Sequence, residues 1–334
     1  MPLFRTIRKR TKMEQLLEVK NLSVSIDGPA GEVQAVRDVS FSLKKGEVLA
    51  IVGESGCGKS MLCKSVMKLL PPSARITNGS ISVCGQDITG YREKEMQNLR
   101  GKTFSMIFQD PMTALNPTIK IGKQIAEAVI IHNKKSSKEE VYQKVLELME
   151  LVGITHPKER YHQYPWQFSG GMRQRCVMAI ALAADPDILF ADEPTTALDV
   201  TIQAQILDLI QKQCTRRDMS VVLITHDLAV VSEVTDYIAV MYLGEILEYG
   251  TTEEIIKNPL HPYTQGLLKS MPKIEMAGQP LFMIEGNIPE LAAIKRDRCR
   301  FYDRCPYAGE ACIGDEYDDE VYGTSHRVRC VRYK

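Results

Sequence analysis

The chain has 334 residues, of which 44% are hydrophobic and 25% charged, a composition typical of a globular protein that buries a sizeable core. Its 42 lysines and arginines balance 42 aspartates and glutamates, so it lacks the basic excess expected of a general nucleic-acid binder. No apolar run approaches the roughly 18 residues needed to span a bilayer, and we expect that the chain does not cross a membrane by itself.

The N-terminal half begins with a basic segment and continues with strand patterns. Residues 1–13 carry five lysines and arginines with no apolar segment behind them, so they predict a tail rather than a secretory signal. Segments 16–26 and 35–43 alternate apolar and polar residues, as half-buried strands do, and the turn chemistry of residues 27–32 lies between them. This pattern predicts an antiparallel sheet at the N-terminus.

Continuous apolar runs then alternate with helical patterns. The runs are typical of strands buried inside a parallel sheet, and they occupy residues 48–52, 103–108, 188–191 and 221–225. The clearest helix pattern begins at Ser137, which forms a capping box with Glu140. Strands that alternate with helices predict an α/β fold with a mostly parallel core sheet.

A glycine-rich turn between the first apolar run and a helix predicts a phosphate site. Residues 53–60, GESGCGKS, match the pattern G-x-x-x-x-G-K-[ST] in full. The glycines let backbone N–H groups face phosphate oxygens, and the helix N-terminus adds its positive dipole end. Lys59 would reach the β- and γ-phosphates, and the Ser60 hydroxyl would bind Mg²⁺. The predicted nucleotide-binding residues of this loop are Gly53, Glu54, Ser55, Gly56, Cys57, Gly58, Lys59, Ser60 and Met61.

A second candidate site lies where the apolar run 188–191 ends in two acids, Asp192 and Glu193. Carboxylates at strand ends of an α/β sheet fall where ligands bind. We expect Asp192 to belong to the Mg²⁺ shell and Glu193 to polarise the water that attacks the γ-phosphate.

Five motifs in order make the chain resemble the ATP-binding cassette (ABC) proteins. The resemblance covers roughly residues 15–255 and implies a P-loop ABC domain that hydrolyses ATP with Mg²⁺. It further implies that Gln109 contacts Mg²⁺ and that His226 senses the γ-phosphate. The motifs are the Q-loop at Gln109, the signature at residues 168–172, the acids Asp192 and Glu193, the D-loop at residues 197–199, and the switch histidine His226.

The signature residues by themselves also predict an anion-binding helix start. Ser169 is a good helix N-cap, and Gly170 and Gly171 leave the amides after it uncovered. In the ABC family this second anion-binding helix start closes on a nucleotide held by another subunit. The resemblance therefore implies a head-to-tail dimer, formed with a homologous ATPase subunit or with a second copy.

Three longer stretches are similar to the ATPase subunits of bacterial dipeptide and oligopeptide importers: residues 107–117, 164–175 and 258–268. This similarity implies ATP-driven peptide import at the cytoplasmic face of the cell membrane. The implied partners are two membrane permease subunits, coupled through residues 110–165, and indirectly a peptide-binding protein.

Two other functions remain open at this stage. Importers of nickel or an opine share these motifs, and cargo is chosen by other subunits. A soluble ABC ATPase acting on nucleic acid or ribosomes usually has tandem cassettes, a long coiled coil or a basic excess, and this sequence has none of them. We therefore expect no nucleic-acid partner.

Two positions depart from the ABC pattern. Ile26 lies where the family usually has an aromatic ring that stacks on adenine, so the base contact lacks that stacking contribution. Met172 replaces a common glutamine, which peptide-importer ATPases tolerate.

Cys57, next to a helix start and near Lys59, is expected to have a lowered thiol pKa and to be alkylated, unless it is only a small buried filler.

The nine cysteines suggest a reducing compartment, because five of them are scattered singly. The other four, Cys299, Cys305, Cys312 and Cys330, lie in an irregular tail and suggest one shared ligand. Zinc and unligated thiols are alternatives, although structural zinc sites usually contain closely spaced cysteine pairs. The importer ATPases that the chain resembles share this pattern, which implies a 4Fe–4S cluster of structural role. Five arginines could offset the thiolate charge: Arg298, Arg300, Arg304, Arg327 and Arg329.

Together these patterns predict three regions: a basic tail at 1–13, an ABC nucleotide-binding domain at 14–265 with a helical subdomain at about 110–185, and a C-terminal extension at 266–334 that carries the cysteine motif. The remaining histidines, which include His261 and His326, are assigned no chemistry.

Overall fold

The structure is a computed structural model that describes residues 15–28, 31–195, 198–271, 282–291, 294, 297–314, 320–322 and 325–333. The predicted basic tail and Ala197 of the D-loop lie outside the described residues.

The six strands predicted from the sequence are present, together with others. In chain order the strands of the described residues are β1 (Gln15–Gly28), β2 (Gly31–Lys44), β3 (Val48–Val52), β4 (Ala74–Val83), β5 (Gln86–Asp87), β6 (Phe104–Ile107), β7 (Ile188–Asp192), β8 (Ser220–Thr225), β9 (Tyr237–Tyr242), β10 (Glu245–Thr251), β11 (Glu320–Tyr322) and β12 (His326–Val328).

Helices lie between the strands, as the alternating pattern predicts. In chain order they are α1 (Lys59–Val66), α2 (Glu93–Leu99), α3 (Pro111–Ala114), α4 (Ile121–His132), α5 (Lys138–Leu151), α6 (Pro157–Arg160), α7 (Gly170–Ala181), α8 (Val200–Arg217), α9 (Leu228–Val231), α10 (Thr252–Lys257) and α11 (Pro262–Ser270).

The strands form two sheets. The smaller sheet has the order β2-β1-β4-β5 and is antiparallel, as predicted for the N-terminus. The larger sheet has the order β11-β12-β10-β9-β3-β8-β7-β6, in which β9, β3, β8, β7 and β6 are parallel neighbours. The C-terminal strands β10, β12 and β11 extend this sheet by antiparallel pairing. The fold is therefore α/β with a mostly parallel core, as expected.

Strand β3 lies at the centre of this core. Val48, Ala50 and Val52 pack into one hydrophobic cluster, and Leu49 and Ile51 pack into the other. Successive side chains of a strand point to opposite faces of the sheet, so a strand covered on both faces must be apolar throughout. This explains why residues 48–52 read as a continuous apolar run.

The helical layer around α4, α5 and α7 covers one of the two clusters. Ser137 caps α5 through its hydroxyl, and Glu140 returns the bond to the Ser137 N–H, so the predicted capping box is present. Helix α7 contacts both α4 and α5 and places the signature residues at its start.

Candidate active site

The phosphate loop runs from the end of β3 to the start of α1, as the motif predicts, and two of its glycines are required by close packing. A Cβ added to Gly53 would lie 2.0 Å from the Met241 carbonyl oxygen. A Cβ on Gly58 would lie 2.6 Å from the Ala35 carbonyl oxygen, and Gly58 has a φ of +104°, which disfavours other residues. The loop therefore folds this tightly only with glycine at both positions.

Lys59 is buried inside the loop and is held by the loop itself. Its ammonium donates to the carbonyl oxygens of Gly53 at 2.8 Å and of Glu54 at 2.9 Å. Backbone carbonyls are weak partners for a buried cation, whereas phosphate oxygens would supply full negative charge. This geometry allows Lys59 to donate to the phosphate oxygens of a bound nucleotide instead of to these carbonyls.

Ser60 and Asp192 meet although they are far apart in the sequence. The Ser60 hydroxyl donates to Asp192 Oδ1 at 2.8 Å. Burial raises the pKa of Asp192, and the hydrogen bond from Ser60 opposes that shift. A hydroxyl and a carboxylate oxygen are ligands that Mg²⁺ accepts, so these two residues fit the divalent cation predicted at this site.

The polar groups assigned to hydrolysis lie together beside this pair. The Gln109 amide donates to Glu193 Oε2 at 3.1 Å, and His226 Nδ1 lies 3.7 Å from Glu193 Oε1. Gln109 and His226 are exposed, whereas the Glu193 side chain is largely covered. The ends of β6, β7 and β8 bring these three residues to one edge of the sheet.

Glu193 also has a backbone conformation that glutamate rarely adopts, with a φ of +45°. Its N–H donates to the Ile224 carbonyl at 3.0 Å, which holds the residue between β7 and β8. Such conformations persist where the surrounding structure fixes them, and they cluster at functional sites.

The signature residues form a helix start that faces outward. Ser169 is the N-cap of α7, and its hydroxyl accepts from the Met172 N–H at 3.4 Å. Ser169 and Gly170 are exposed, so their surroundings leave room for a ligand brought by another molecule. The helix starts at Gly170, directly after the predicted N-cap Ser169, and ends at Ala181.

Cys57 differs from the prediction of a reactive thiol. Its side chain is buried against the loop, and this burial raises its pKa, an effect larger than the opposing influence of Lys59 3.7 Å away. The prediction of a lowered pKa was wrong because sequence proximity to a lysine does not report how completely the thiol is desolvated.

The four tail cysteines, by contrast, are brought together. Cys299, Cys305, Cys312 and Cys330 line one cavity at the C-terminal region. Three of them accept a backbone N–H bond from the residue two positions later. Burial raises the pKa of Cys299 to about 12. In the described residues, no three side chains of His, Cys, Asp or Glu are arranged to hold a single metal ion.

The arginines around these cysteines also have partners outside the cysteine cavity. Arg300 and Arg329 reach Glu245 at 3.1 and 3.9 Å, and Arg304 reaches Glu54 at 2.7 Å. The guanidinium groups of Arg298 and Arg327 lie over the rings of Tyr302 and Tyr249. Arg329 also lines the cavity of the four cysteines. The offsetting of thiolate charge by the five arginines stays a prediction. Arg332, which sequence reasoning omitted, lowers the pKa of Cys305 and Cys330 against the larger effect of burial.

Two residues missed by sequence reasoning touch the phosphate loop from the C-terminal side. The Tyr263 hydroxyl accepts from the Glu54 N–H at 3.0 Å, and Arg304 forms two hydrogen bonds with the Glu54 carboxylate. They lie 209 and 250 positions after Glu54, and no local pattern in the sequence signals such a contact.

Ile26 is partly buried and pairs with Val33 and Ala74, so an aliphatic side chain occupies the end of β1. His326 lies 2.7 Å from Glu248 and is buried, which is the structural role expected of a histidine without catalytic context.

Comparison with known families gives two matches along the chain. Residues 36–196 match the ABC transporter family, and residues 247–312 match the family described as the oligopeptide/dipeptide transporter, C-terminal region. These two matches include the phosphate loop, the acids Asp192 and Glu193, and three of the four tail cysteines.

Similar proteins and structures agree with these matches. The chain is 52% identical to the dipeptide transport ATP-binding protein DppD of Bacillus subtilis over 95% of both chains. It is 55% identical to the oligopeptide transport ATP-binding protein OppD of the same organism, over 84% of this chain and 78% of the relative. Among solved structures, an ATP-binding cassette dimer in a post-hydrolysis state with ADP and phosphate aligns with a TM-score of 0.65 and 25% identity, over 71% of this chain and 99% of the cassette.

Proposed function

This chain belongs to the ABC transporter family, among the ATP-binding subunits of dipeptide and oligopeptide transporters, and we propose that it powers the import of such peptides by hydrolysing ATP. The peptides pass through separate membrane permease subunits. Among the described residues, no helix has both the length and the apolar character that crossing a bilayer requires. The chain works at the cytoplasmic face of the cell membrane, where its odd, scattered cysteines fit a reducing compartment.

The observation that carries this function is the convergence of the loop with the strand-end acids. Lys59 and the loop amides would bind the phosphates of ATP, and Ser60, Asp192 and Gln109 would hold Mg²⁺. When bound, Mg²⁺ supplies positive charge that stabilises the charge developing on the phosphate oxygens. Asp192 is placed to hold this cation together with Ser60, because its carboxylate oxygen lies 2.8 Å from the Ser60 hydroxyl.

Glu193 performs the proton transfer. Its carboxylate accepts a proton from a water molecule, the water oxygen attacks the γ-phosphorus, and the bond to the β-phosphate oxygen breaks to release ADP and phosphate. Gln109 and His226 lie on the two oxygens of this carboxylate and orient it. His226 also detects whether a γ-phosphate is present.

A second subunit completes the site. Ser169, Gly170 and Gly171 bind the nucleotide held by the partner, since Ser169 and Gly170 are exposed and the start of α7 attracts anions. ATP binding therefore closes a head-to-tail dimer, and hydrolysis reopens it. The partner is a homologous ATPase subunit or a second copy.

The permease contact lies in the region of residues 110–165 and its flanks. Met112 and Trp166 have 61% and 67% of their surface exposed, unusual values for large apolar side chains. Arg173 links their surroundings, because it contacts Met112 and donates to the carbonyl of Pro165, the residue before Trp166. This apolar surface near Gln109 suits a membrane partner that must respond to hydrolysis.

Peptide cargo is favoured over the alternatives by the match at residues 247–312, which carries the name of peptide transporters. Nickel and opine importers have no comparable observation in their favour. The balanced charge of the whole chain argues against a nucleic-acid ATPase.

The three predicted regions, at 1–13, 14–265 and 266–334, remain our division of the chain, with the helical subdomain at about 110–185.

We further propose that Cys299, Cys305, Cys312 and Cys330 hold a 4Fe–4S cluster. The donor set fits, because all four thiols line one cavity and three accept backbone N–H bonds, which stabilise the thiolate form that ligates iron. A buried thiol such as Cys299 would otherwise stay protonated. The cluster would supply a rigid crosslink between the segments that carry the cysteines.

Protein purified without oxygen tests this cysteine proposal. We expect a brown protein with a broad visible absorption band, about four iron atoms and about four acid-labile sulfides per chain. The Cys312→Ser variant should lose iron. A colourless protein with one zinc and no iron would assign the cysteines to zinc instead.

Substitution of the general base tests the ATPase assignment. Glu193→Gln removes the proton acceptor but keeps the hydrogen bond with Gln109, so turnover should fall by roughly a hundredfold or more while Mg-ATP binding is retained. Phosphate release and nucleotide binding would be measured on the same samples. Turnover at the wild-type rate would exclude Glu193 as the base.

A further inference from the structure

Glu54, inside the phosphate loop, is held on its backbone and on its side chain by two residues from the C-terminal part of the chain. The Glu54 N–H donates to the Tyr263 hydroxyl at 3.0 Å. The Glu54 carboxylate accepts from Arg304 Nη1 at 2.7 Å and from Arg304 Nη2 at 3.1 Å, which is a bidentate pair. We name these two residues, Tyr263 and Arg304, the Glu54 clamp.

Arg304 is fixed in place by its remaining hydrogen bonds. Its Nε donates to the Glu285 carbonyl at 3.1 Å, and its two terminal nitrogens reach the Tyr242 hydroxyl and the Ile284 carbonyl, both at 3.4 Å. With the Glu54 pair, all five guanidinium donors have acceptors. The Arg304 side chain is 5% exposed and that of Glu54 is 24% exposed, so solvent screens this ion pair far less than a surface pair.

Tyr263 is fixed as firmly by packing. It is fully buried, with its ring centroid 4.7 Å from that of Tyr242 and 5.3 Å from that of Phe301. Phe301 belongs to the same cysteine-bearing segment as Arg304. The clamp therefore joins α11 and the C-terminal extension into one rigid support behind the loop.

Glu54, which the clamp holds, is in turn hydrogen-bonded to Lys59. The Glu54 carbonyl accepts from Lys59 Nζ at 2.9 Å and from the Cys57 N–H at 3.3 Å. Ser55 and Gly56, which follow Glu54, are exposed. The orientation of Glu54 thus determines where the loop amides point and where Lys59 lies.

We propose that Arg304 and Tyr263 are positioning residues that hold the phosphate loop in its ATP-binding shape, so that ATP affinity depends on the C-terminal extension. Neither residue contacts the reacting atoms, and both act through Glu54. The proposal rests on the proposed function, because it assumes that the loop binds ATP.

Nucleotide binding to the full-length chain tests the clamp through a double-mutant cycle. Arg304→Gln and Glu54→Gln should each raise the Kd for Mg-ATP by about tenfold, because each removes one partner of a partly buried pair. The double variant should bind no more weakly than the weaker single variant, since the interaction is already lost. Tyr263→Phe, which keeps the ring and its packing, should raise the Kd by about threefold.

A matched control distinguishes the effect of the clamp on the phosphate loop from a general loosening of the C-terminal extension. Arg327 also joins the extension to the rest of the chain, but its guanidinium contacts the Ser40 carbonyl and the Tyr249 ring rather than the loop. Arg327→Gln should therefore leave the Kd within twofold of the wild-type value. Equal loss of affinity in Arg327→Gln and Arg304→Gln would overturn the proposal.

Steady-state kinetics give a second readout. Loss of positioning should raise the KM for ATP about tenfold in Arg304→Gln while kcat changes less than twofold, and Arg304→Lys should restore part of the affinity through its charge. Unchanged KM in Arg304→Gln, or exact addition of the two single effects in the double variant, would contradict the clamp. Failure of the wild-type chain to bind Mg-ATP would instead overturn the proposed function itself.

Discussion

Glu193 and Cys57 both lie near the proposed nucleotide site, but their surroundings give the two side chains different roles. Glu193 is held in a left-handed backbone conformation between β7 and β8, and its two oxygens face Gln109 and His226. Cys57 lies within the loop but is packed away from solvent. The carboxylate is therefore available for chemistry, whereas the thiol serves as a small side chain that fills space under the loop.

The raised pKa of Cys57 leads to a prediction about its reactivity. Because the thiolate is the form that reacts, iodoacetamide at pH 7.5 should modify Cys57 about tenfold more slowly than the exposed Cys84. The rate at Cys57 should rise as the pH approaches its raised pKa. Mass spectrometry of timed digests measures both sites in one sample, and equal rates would contradict the prediction.

At the scale of elements, buried ion pairs attach the C-terminal extension to the sheet. Glu245, at the start of β10, is fully buried and lies within 3.1 Å of Arg300, 3.4 Å of Arg37 and 3.9 Å of Arg329. Glu248 on the same strand binds His326. Two carboxylates of one strand thus bind side chains from several parts of the extension, in addition to the Glu54 clamp.

Loss of the Glu245 carboxylate should destabilise the fold. Glu245→Ala leaves three arginines without their shared buried partner, so the free energy of unfolding should fall by about 3 kcal/mol or more. Urea denaturation followed by circular dichroism measures the change. Glu253→Ala is the matched control, because Glu253 pairs with Lys257 on the exposed surface and its loss should change little. Similar effects of the two substitutions would contradict the role of Glu245.

These elements also mark how far the sequence alone could be interpreted. The phosphate loop is eight consecutive residues between a strand and a helix, and the capping box at Ser137 spans four, so both were predicted from local patterns. The contacts of Arg304 with Glu54 and of Arg300 with Glu245 join distant segments, and only the folded chain brings them together. Proximity to the cysteines in the sequence therefore could not reveal the carboxylates that these arginines bind.

At the scale of the whole molecule, we propose that one chain contributes halves of two different nucleotide sites. The loop and the acids lie at one edge of the larger sheet, and Ser169 presents the start of α7 to the outside. The helical layer between Gln109 and the signature connects these halves and carries the exposed Met112 and Trp166. Nucleotide-driven closure of two chains would therefore move the surface that we propose as the permease contact.

Assembly should accordingly depend on ATP. Glu193→Gln, which we expect to bind ATP without hydrolysing it, should be monomeric without nucleotide and dimeric with Mg-ATP. Adding Ser169→Arg should abolish the dimer while ATP binding to the loop of the same chain remains, because only the site offered to the partner is blocked. Light scattering after size exclusion measures the mass, and an identical mass in all conditions would contradict a nucleotide-bound dimer.

The most direct test of the central claim is peptide uptake by vesicles that contain this chain with its permease subunits and peptide-binding protein. Labelled dipeptide should accumulate only when Mg-ATP is supplied on the side of the membrane that carries this chain. The Glu193→Gln chain, assembled to the same level, should support less than about one-hundredth of the wild-type uptake. Equal uptake with wild-type and Glu193→Gln chains, or uptake that does not require ATP, would show that this chain does not power peptide import.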